Sequence, residues 1–197
     1  MKKRIAFFDF DGTITTRDTL LEVIKFYKGN FKFYVGFALN APFILAWKVG
    51  IISNQAAKEK ILRHFFGGLS LTEFQERCDA FAVTQVPLLV RPKALKEIEK
   101  LVTTGVTVVI VSASAENWIQ HWCNLHNLAL IGTKLEVSNG LLTGNILKRN
   151  CHGLEKVNRI NAAFDLAQYD EVYCYGDTKG DKPMLELATF SFYKPFR

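Results

Sequence analysis

The sequence is poor in cysteine, and its cysteines show no paired spacing. Cys78, Cys123, Cys151 and Cys174 are scattered along 197 residues, and Cys174 lies inside an apolar run. Such a distribution does not indicate a small secreted domain held together by disulfides. We therefore expect the protein to reside in a reducing compartment.

Long hydrophobic runs are also absent. The apolar run that starts at Ile5 meets Asp9 too early for the hydrophobic region of a signal peptide. Residues 33–47 carry no charge, but a membrane-spanning helix needs roughly 20 apolar residues. We interpret this stretch as helices of an insertion that pack on each other, with a lipid-facing surface as the alternative. A cytoplasmic protein is the resulting expectation.

Charge of neither sign dominates the composition. The chain has 25 Lys and Arg against 19 Asp and Glu, a formal net charge of +6, and 49% hydrophobic residues. This excess favours anionic partners without distinguishing phosphate esters, nucleic acid and anionic lipid surfaces. The hydrophobic content is sufficient for a buried core. One domain, or one domain with a sizeable insertion, is expected.

Short apolar runs that end in acidic or small polar residues predict the strands of a sheet. They occupy residues 5–10, 106–111 and 171–175, and a helix-like stretch at residues 92–102 precedes the second run. Strands that alternate with helices indicate an α/β fold with a parallel, Rossmann-like sheet. Ser138-Asn139-Gly140, between residues 134–137 and 141–146, predicts an antiparallel β-hairpin beside that sheet.

Residues 17–90 interrupt this alternation. They show helical periodicity, no strand of the parallel type and a break at Gly67-Gly68. The sequence therefore predicts a helical cap at residues 17–90, inserted into an α/β catalytic core formed by residues 1–16 and 91–197.

Asp9 and Asp11 are the first candidates for chemistry. They flank Phe10 at the end of the first predicted strand, so both carboxylates point to one face. Two adjacent acids repel each other unless a cation lies beside them, and ligands of open α/β sheets bind outside the carboxyl ends of the strands. A calcium loop of the helix–loop–helix type is the alternative, but its twelfth position requires glutamate and here holds Leu20.

Further polar residues follow the later elements. Ser112 and Ala113 come after the second predicted strand, where a hydroxyl and backbone amides at the start of a helix would hold phosphate oxygens. Lys156 lies at the start of a later helix, and Asp177 and Asp181 follow the third strand. A second pair of acids directly after a core strand is difficult to explain as an ordinary turn.

In order and spacing, these four segments resemble the motifs of the haloacid dehalogenase-like superfamily. The cap placed after the first motif resembles that of the phosphoserine phosphatase branch. The resemblance implies a magnesium-dependent phosphomonoester hydrolase with Asp9 as nucleophile and Asp11 as general acid and base. It also implies magnesium bound by Asp9, Asp11 through its backbone carbonyl and Asp177, phosphate bound by Ser112, Ala113 and Lys156, and Asp181 as a supporting acid.

The resemblance gives opposing indications about the substrate. Asp18 stands where phosphoserine phosphatases have a glutamate for the substrate amine, and Lys60 is the nearest match to their basic cap residue. The run Lys179-Gly-Asp181-Lys-Pro183 instead resembles bacterial phosphatidylglycerophosphate phosphatases of the same branch. We expect a small or medium phosphomonoester as partner, with a lipid phosphate and peripheral contact with anionic lipid as the alternative. No nucleic-acid partner is expected.

A competing function from another class is a phosphate-accepting receiver domain, which also uses acids, a hydroxyl and a lysine on an α/β sheet. In that fold the acid pair and the phosphate-accepting aspartate come from different strands, whereas Asp9 and Asp11 leave the same one. An insertion as long as residues 17–90 also exceeds the usual connection between a strand and a helix. A catalytically silent binding protein is disfavoured because every reactive position is filled.

Overall fold

The fold is built on a parallel sheet, as predicted. The structure, a computed structural model, describes residues 2–197. Five strands pair in the order β3-β2-β1-β6-β7, and each pairing is parallel. The strands are β1 (Arg4–Phe8), β2 (Thr107–Ala115), β3 (Ala129–Thr133), β6 (Glu171–Gly176) and β7 (Phe190–Tyr193).

The described residues form eight α-helices in addition to these strands. They are α1 (Thr19–Lys48), α2 (Asn54–Phe66), α3 (Leu71–Thr84), α4 (Val86–Leu89), α5 (Pro92–Thr103), α6 (Glu116–Leu125), α7 (Leu154–Ala163) and α8 (Lys182–Leu185). The helix predicted at residues 92–102 is confirmed as α5. No helix among residues 2–197 combines the length and apolarity that crossing a bilayer would require.

The central strand β1 is buried on both faces, which explains why its sequence is a continuous apolar run. Ile5 and Phe7 belong to one apolar cluster, and Ala6 and Phe8 belong to the other. This division follows from the alternation of side chains along a strand. The cluster that contains Ala6 and Phe8 also includes residues of α2 and α3, such as Phe66 and Phe74. The helices that follow β1 therefore share a core with one face of the sheet.

Two strand boundaries differ from the sequence-based expectation. The run at residues 5–10 ends as a strand at Phe8, because residues Phe10–Ile14 form a tight turn. The second strand continues to Ala115, with a register shift between Val111 and Ala115. Ser112 therefore lies within β2, and the expectation that it follows this strand at the start of a helix is wrong.

The predicted hairpin is confirmed by β4 (Leu135–Ser138) and β5 (Leu141–Ile146), which pair antiparallel. Asn139 and Gly140 both have positive φ, at 49° and 76°. Asparagine and glycine adopt this conformation most readily, which is why the dipeptide predicts the turn.

Helices α1 to α4 lie within residues 17–90, the helical block that was predicted from the sequence. Glycine interrupts α1, because Gly29 has a φ of 78° and a ψ of 162°. Thr15 and Val90 form an isolated antiparallel bridge where the chain leaves the sheet region and returns to it. The division into a cap at residues 17–90 and a core at residues 1–16 and 91–197 stays a prediction.

Candidate active site

The candidate site lies at the carboxyl ends of β1, β2 and β6, where Lys156 is its central contact. The Lys156 Nζ atom donates hydrogen bonds to Asp9 Oδ1 at 2.6 Å, to Asp181 Oδ1 at 2.8 Å and to the Val111 carbonyl at 2.8 Å. Lys156 is 1% exposed, and both acids are buried as well. Three segments distant in sequence are thus joined by one buried ammonium group.

Burial and mutual attraction act in opposite directions on these charges. Burial raises the pKa of Asp9 to about 7, although the Lys156 ammonium opposes the shift. Burial would lower the pKa of Lys156, but the carboxylates of Asp9 and Asp181 outweigh it and raise this pKa. The pKa of Asp181 is lowered because Lys156 and Thr178 outweigh its burial. Asp9 is therefore the carboxylate whose ionised form depends most on further positive charge.

Asp11 lines the same cavity and is held by two hydrogen bonds. Its Oδ1 atom accepts from the Thr19 backbone N–H at 2.7 Å, and its Oδ2 atom accepts from Ser114 Oγ at 2.5 Å. Ser114 Oγ lies 3.1 Å from Thr19 Oγ1, which accepts a hydrogen bond from the Trp118 indole N–H at 3.1 Å. Because an indole only donates and each hydroxyl has one hydrogen, the chain runs from Trp118 through Thr19 and Ser114 to Asp11. Neither Thr19 nor Ser114 is indicated as a site residue by the sequence alone.

Asp177 completes the acidic cluster. Carboxylate oxygens of Asp9, Asp177 and Asp181 lie within 4.8 Å of one another, which is close enough for a shared cation. Burial first, and Asp181 second, raise the pKa of Asp177, while Arg197 opposes the shift. Oxygen ligands of this kind suit magnesium.

The partners of Asp181 and Asp177 indicate which of these acids would bind a metal ion and which would support another residue. Asp181 Oδ1 is bound to Lys156, and Asp181 Oδ2 accepts from the Thr178 hydroxyl at 2.7 Å. Asp177 accepts from Thr13 Oγ1 at 3.2 Å and also contacts the half-exposed Arg197 guanidinium. Both acids therefore have partners on both oxygens, but the Arg197 partner of Asp177 is half-exposed and can be displaced by a cation, whereas the Lys156 partner of Asp181 is buried. The residues thus fit a divalent cation held by Asp9 and Asp177.

A glycine keeps the backbone close to this cluster. Gly12 has a φ of 83°, a conformation that other residues rarely adopt, and a Cβ atom built there would lie 2.7 Å from Asp177 Oδ2. The turn after β1 can approach Asp177 only because this position has no side chain.

Of the residues expected to bind phosphate, Ala113 and Lys156 line the cavity and Ser112 does not. Ser112 is fully buried, and its Oγ atom accepts from the Ser114 backbone N–H at 3.0 Å. Ala113 and Ser114 line the cavity, while the Ala113 carbonyl accepts from Lys58 Nζ at 2.6 Å. Their role in binding phosphate stays a prediction.

The cavity, of about 700 Å³, is enclosed by the helical block as well as by the strand ends. Asp18 lies in its wall and caps α1 by accepting from the Leu20 and Leu21 backbone N–H groups. Further wall residues supplied by α1 and α2 are Leu20, Leu21, Phe37, Ile44, Trp47, Asn54, Ala57, Lys58 and Ile61. An acidic end thus opens into a mainly apolar space.

The basic residue of this wall is Lys58, whereas the structure places Lys60 elsewhere. Lys60 is exposed, and its ammonium lies 4.9 Å from the centre of the Phe43 ring. Lys58 is half-buried, and burial lowers its pKa while Asp18 and Asp11 oppose this effect. Residues two apart on a helix point in nearly opposite directions, which explains the difference. The substrate role predicted for Lys60 has no support from its position.

With this geometry, the comparisons with known proteins identify the family. The model of the haloacid dehalogenase-like hydrolases matches residues 6–186, so the chain belongs to that family of enzymes. Protein CicA from Caulobacter vibrioides is 31% identical over 192 residues, which span 96% of this chain and 85% of CicA.

Solved structures share the fold. A protein of unknown function from Bordetella pertussis Tohama I superposes with a TM-score of 0.85 at 21% identity, covering 97% of this chain and 89% of that one. A phosphoserine phosphatase solved as a phospho-aspartyl intermediate analogue gives a TM-score of 0.62 at 20% identity, covering 97% and 86%. At these identities, the likeness concerns the fold.

Proposed function

We propose that this hydrolase is a magnesium-dependent phosphatase that cleaves phosphomonoesters through an aspartyl-phosphate on Asp9. The observation that carries the proposal is the pairing of buried Asp9 with Lys156, at 2.6 Å, beside Asp11 in one cavity. A carboxylate at the end of a strand, next to a cation and a second acid, has the surroundings that a nucleophile requires. The shared fold with the phosphoserine phosphatase supports the same reaction class.

In the first step, Asp9 attacks phosphorus and the bond from phosphorus to the ester oxygen breaks. Asp11 in its acid form donates a proton to the departing alkoxide. In the second step, Asp11 removes a proton from water, which attacks the aspartyl-phosphate and releases inorganic phosphate and free Asp9. Ser114 and the Thr19 amide keep Asp11 in position for both steps.

Lys156 and the acidic cluster provide the electrostatic conditions for this reaction. Asp9, the Asp11 backbone carbonyl and Asp177 would hold magnesium, and Asp181 would keep Lys156 directed at Asp9. When bound, magnesium supplies charge that favours ionised Asp9 and offsets negative charge on the phosphoryl oxygens. Ser112 and the Ala113 amide would bind the remaining phosphoryl oxygens.

The test is a panel of phosphomonoesters assayed with magnesium, with excess chelator and with magnesium restored. We expect turnover that chelation abolishes reversibly, and none in the Asp9→Asn variant, because an amide cannot attack phosphorus. A receiver domain would accept phosphate without continuous turnover, and a silent binding protein would release none. Full activity in excess chelator, or substantial activity of Asp9→Asn, would contradict the proposal.

A further inference from the structure

The second half of α1 exposes an unusual number of large apolar side chains. We define the cap arm as residues 30–51, which comprise α1 after Gly29 and the three residues that follow it. Its most exposed apolar residues, at between 61% and 80%, are Phe31, Tyr34, Leu39, Leu45, Val49 and Ile51. Single exposed apolar residues are ordinary, whereas a concentration on one segment indicates an interaction surface.

Packing of the fold uses a different face of this helix. Phe33 and Gly36 are buried, and the Phe37 ring of α1 lies 5.7 Å from the Phe65 ring of α2. A Cβ atom at Gly36 would lie 2.2 Å from the Phe65 ring, so the two helices are in close contact. Internal packing therefore accounts for one face of the cap arm and leaves the other apolar face uncovered by this chain. The internal packing of helices therefore does not account for the whole apolar surface of residues 33–47, which weakens the preference for a small or medium phosphomonoester over a lipid phosphate.

The charge of the segment complements an anionic surface. The sequence has no acidic residue between Glu22 and Glu59, and the lysines of this interval are Lys25, Lys28, Lys32, Lys48 and Lys58. Lys32 and Lys48 are exposed near the two ends of the cap arm. Apolar side chains flanked by lysines are the combination that binds the interface of bilayers with anionic lipids.

The opposite side of the same helix leads to the candidate active site. Phe37, Ile44 and Trp47 line the cavity of about 700 Å³ that ends at Asp9 and Asp11. A phosphate ester with an apolar chain could place its phosphate at Asp9 while the chain contacts these three residues. The cap arm thus connects an exposed apolar surface with the reaction centre.

We propose that the outer face of the cap arm docks on anionic lipid bilayers, and that the enzyme there hydrolyses phosphate monoesters carried by lipids. The docking half stands on the exposed residues and the charge, while the substrate half rests on the proposed phosphatase function. Docking is peripheral, since no described helix is able to cross a membrane.

The docking half is tested by sedimentation of the protein with vesicles of phosphatidylglycerol and phosphatidylcholine. Phe31→Ser/Ile51→Ser should reduce the bound fraction at limiting lipid by about tenfold or more, because both side chains would otherwise enter the interface. The matched control, Leu88→Ser/Leu125→Ser, removes two exposed apolar side chains outside the arm, at 76% and 61% exposure, and should bind as wild type does.

A charge-reversal variant tests docking independently of the apolar residues. Lys32→Glu/Lys48→Glu should weaken binding by about tenfold or more, and added salt should weaken the binding of wild type. Lys93→Glu/Lys96→Glu makes the same change in net charge on exposed positions of α5 and should have a much smaller effect. Absence of binding by wild type, or equal loss in the arm and control variants, would overturn the proposal.

Activity separates this inference from the proposed function. With a water-soluble aryl phosphate, both arm variants should retain wild-type rates, because none of the four replaced residues lines the cavity. With phosphatidic acid in vesicles, only the arm variants should lose activity. If wild type does not hydrolyse aryl phosphates, the proposed function is refuted, while the docking result is unaffected. If the arm variants instead convert a dimer into a monomer and vesicles are not bound, the face belongs to a second copy and the proposal is wrong.

Discussion

Replacing Lys156 with methionine should cost the metal-free protein about 3–5 kcal/mol of unfolding free energy at pH 7, because it breaks a buried ion pair. The Lys156 ammonium makes three hydrogen bonds of 2.6 to 2.8 Å and is 1% exposed. Methionine retains most of the side-chain volume, so a cavity contributes little. The carboxylates of Asp9 and Asp181 would remain buried without their cation.

The assays are urea denaturation and thermal denaturation in chelator, with Lys93→Met as the control for loss of an exposed lysine. The control should stay within about 0.5 kcal/mol of wild type, whereas Lys156→Met should lower the melting temperature by roughly 6–20 °C. The pKa of Asp181 is lowered in the folded state, so its contribution is present above the unfolded pKa and is lost as pH falls through the folded one. The difference between Lys156→Met and wild type should therefore shrink below about pH 4. A loss under about 1 kcal/mol, or a difference independent of pH, would refute the reasoning.

Three further predictions concern the acids. Asp11→Asn should still be phosphorylated rapidly by aryl phosphates but react slowly with alkyl phosphates, whose leaving groups need a proton donor. Ser114→Ala should show the same pattern, with a loss of about 10- to 100-fold, as expected for one charge-assisted hydrogen bond. Equal losses on both ester types in single-turnover assays would argue against this role of Asp11. Because the pKa of Asp9 is raised to about 7, its stabilising contribution is present below its unfolded pKa and is lost as pH rises through 7. Metal-free wild type should therefore lose stability between pH 4 and 7 relative to Asp9→Asn, and magnesium should reverse the loss. Parallel stability curves of the two proteins would exclude a raised pKa of Asp9. Gly12→Ala should displace Asp177 and weaken magnesium affinity by about tenfold or more, measured by titration, since the added Cβ atom would lie 2.7 Å from its Oδ2 atom; unchanged affinity would contradict the argument.

The three central strands β1, β2 and β6 and the acids that follow β1 and β6 were predictable because their signals are local. Asp9 and Asp177 each follow a buried apolar run, and the carboxyl ends of parallel strands meet at one edge. The hairpin was predictable for a similar reason, since Asn139 and Gly140 fit its turn. Features of this kind can be predicted from the pattern of apolar residues along the chain and from the geometry of strands and turns.

Other features depend on tertiary contacts that one sequence does not reveal. Ser114 and Thr19 are of types that commonly cap helices, and only their meeting in space shows that they hold Asp11. The choice of Lys58 rather than Lys60 could have been made from helical periodicity, because the buried Ile61 and Leu62 lie three and four residues after Lys58 and so on the same face of α2. The resemblance to phosphoserine phosphatases pointed to Lys60 instead. Both edge strands, β3 and β7, were missed, because they are five and four residues long and several of their residues are exposed.

Mapping the covalent intermediate tests the central claim most directly. Wild type and Asp11→Asn would be mixed with an aryl phosphate and magnesium, quenched in acid within one turnover and digested for mass spectrometry. We predict a phosphoryl group on the Asp9 side chain, found in the peptide that contains Asp9. It should be more abundant in Asp11→Asn and absent in Asp9→Asn. A phosphoryl group on Ser112, Ser114 or His152, or complete single-turnover hydrolysis with no covalent species under conditions that preserve acyl phosphates, would contradict it.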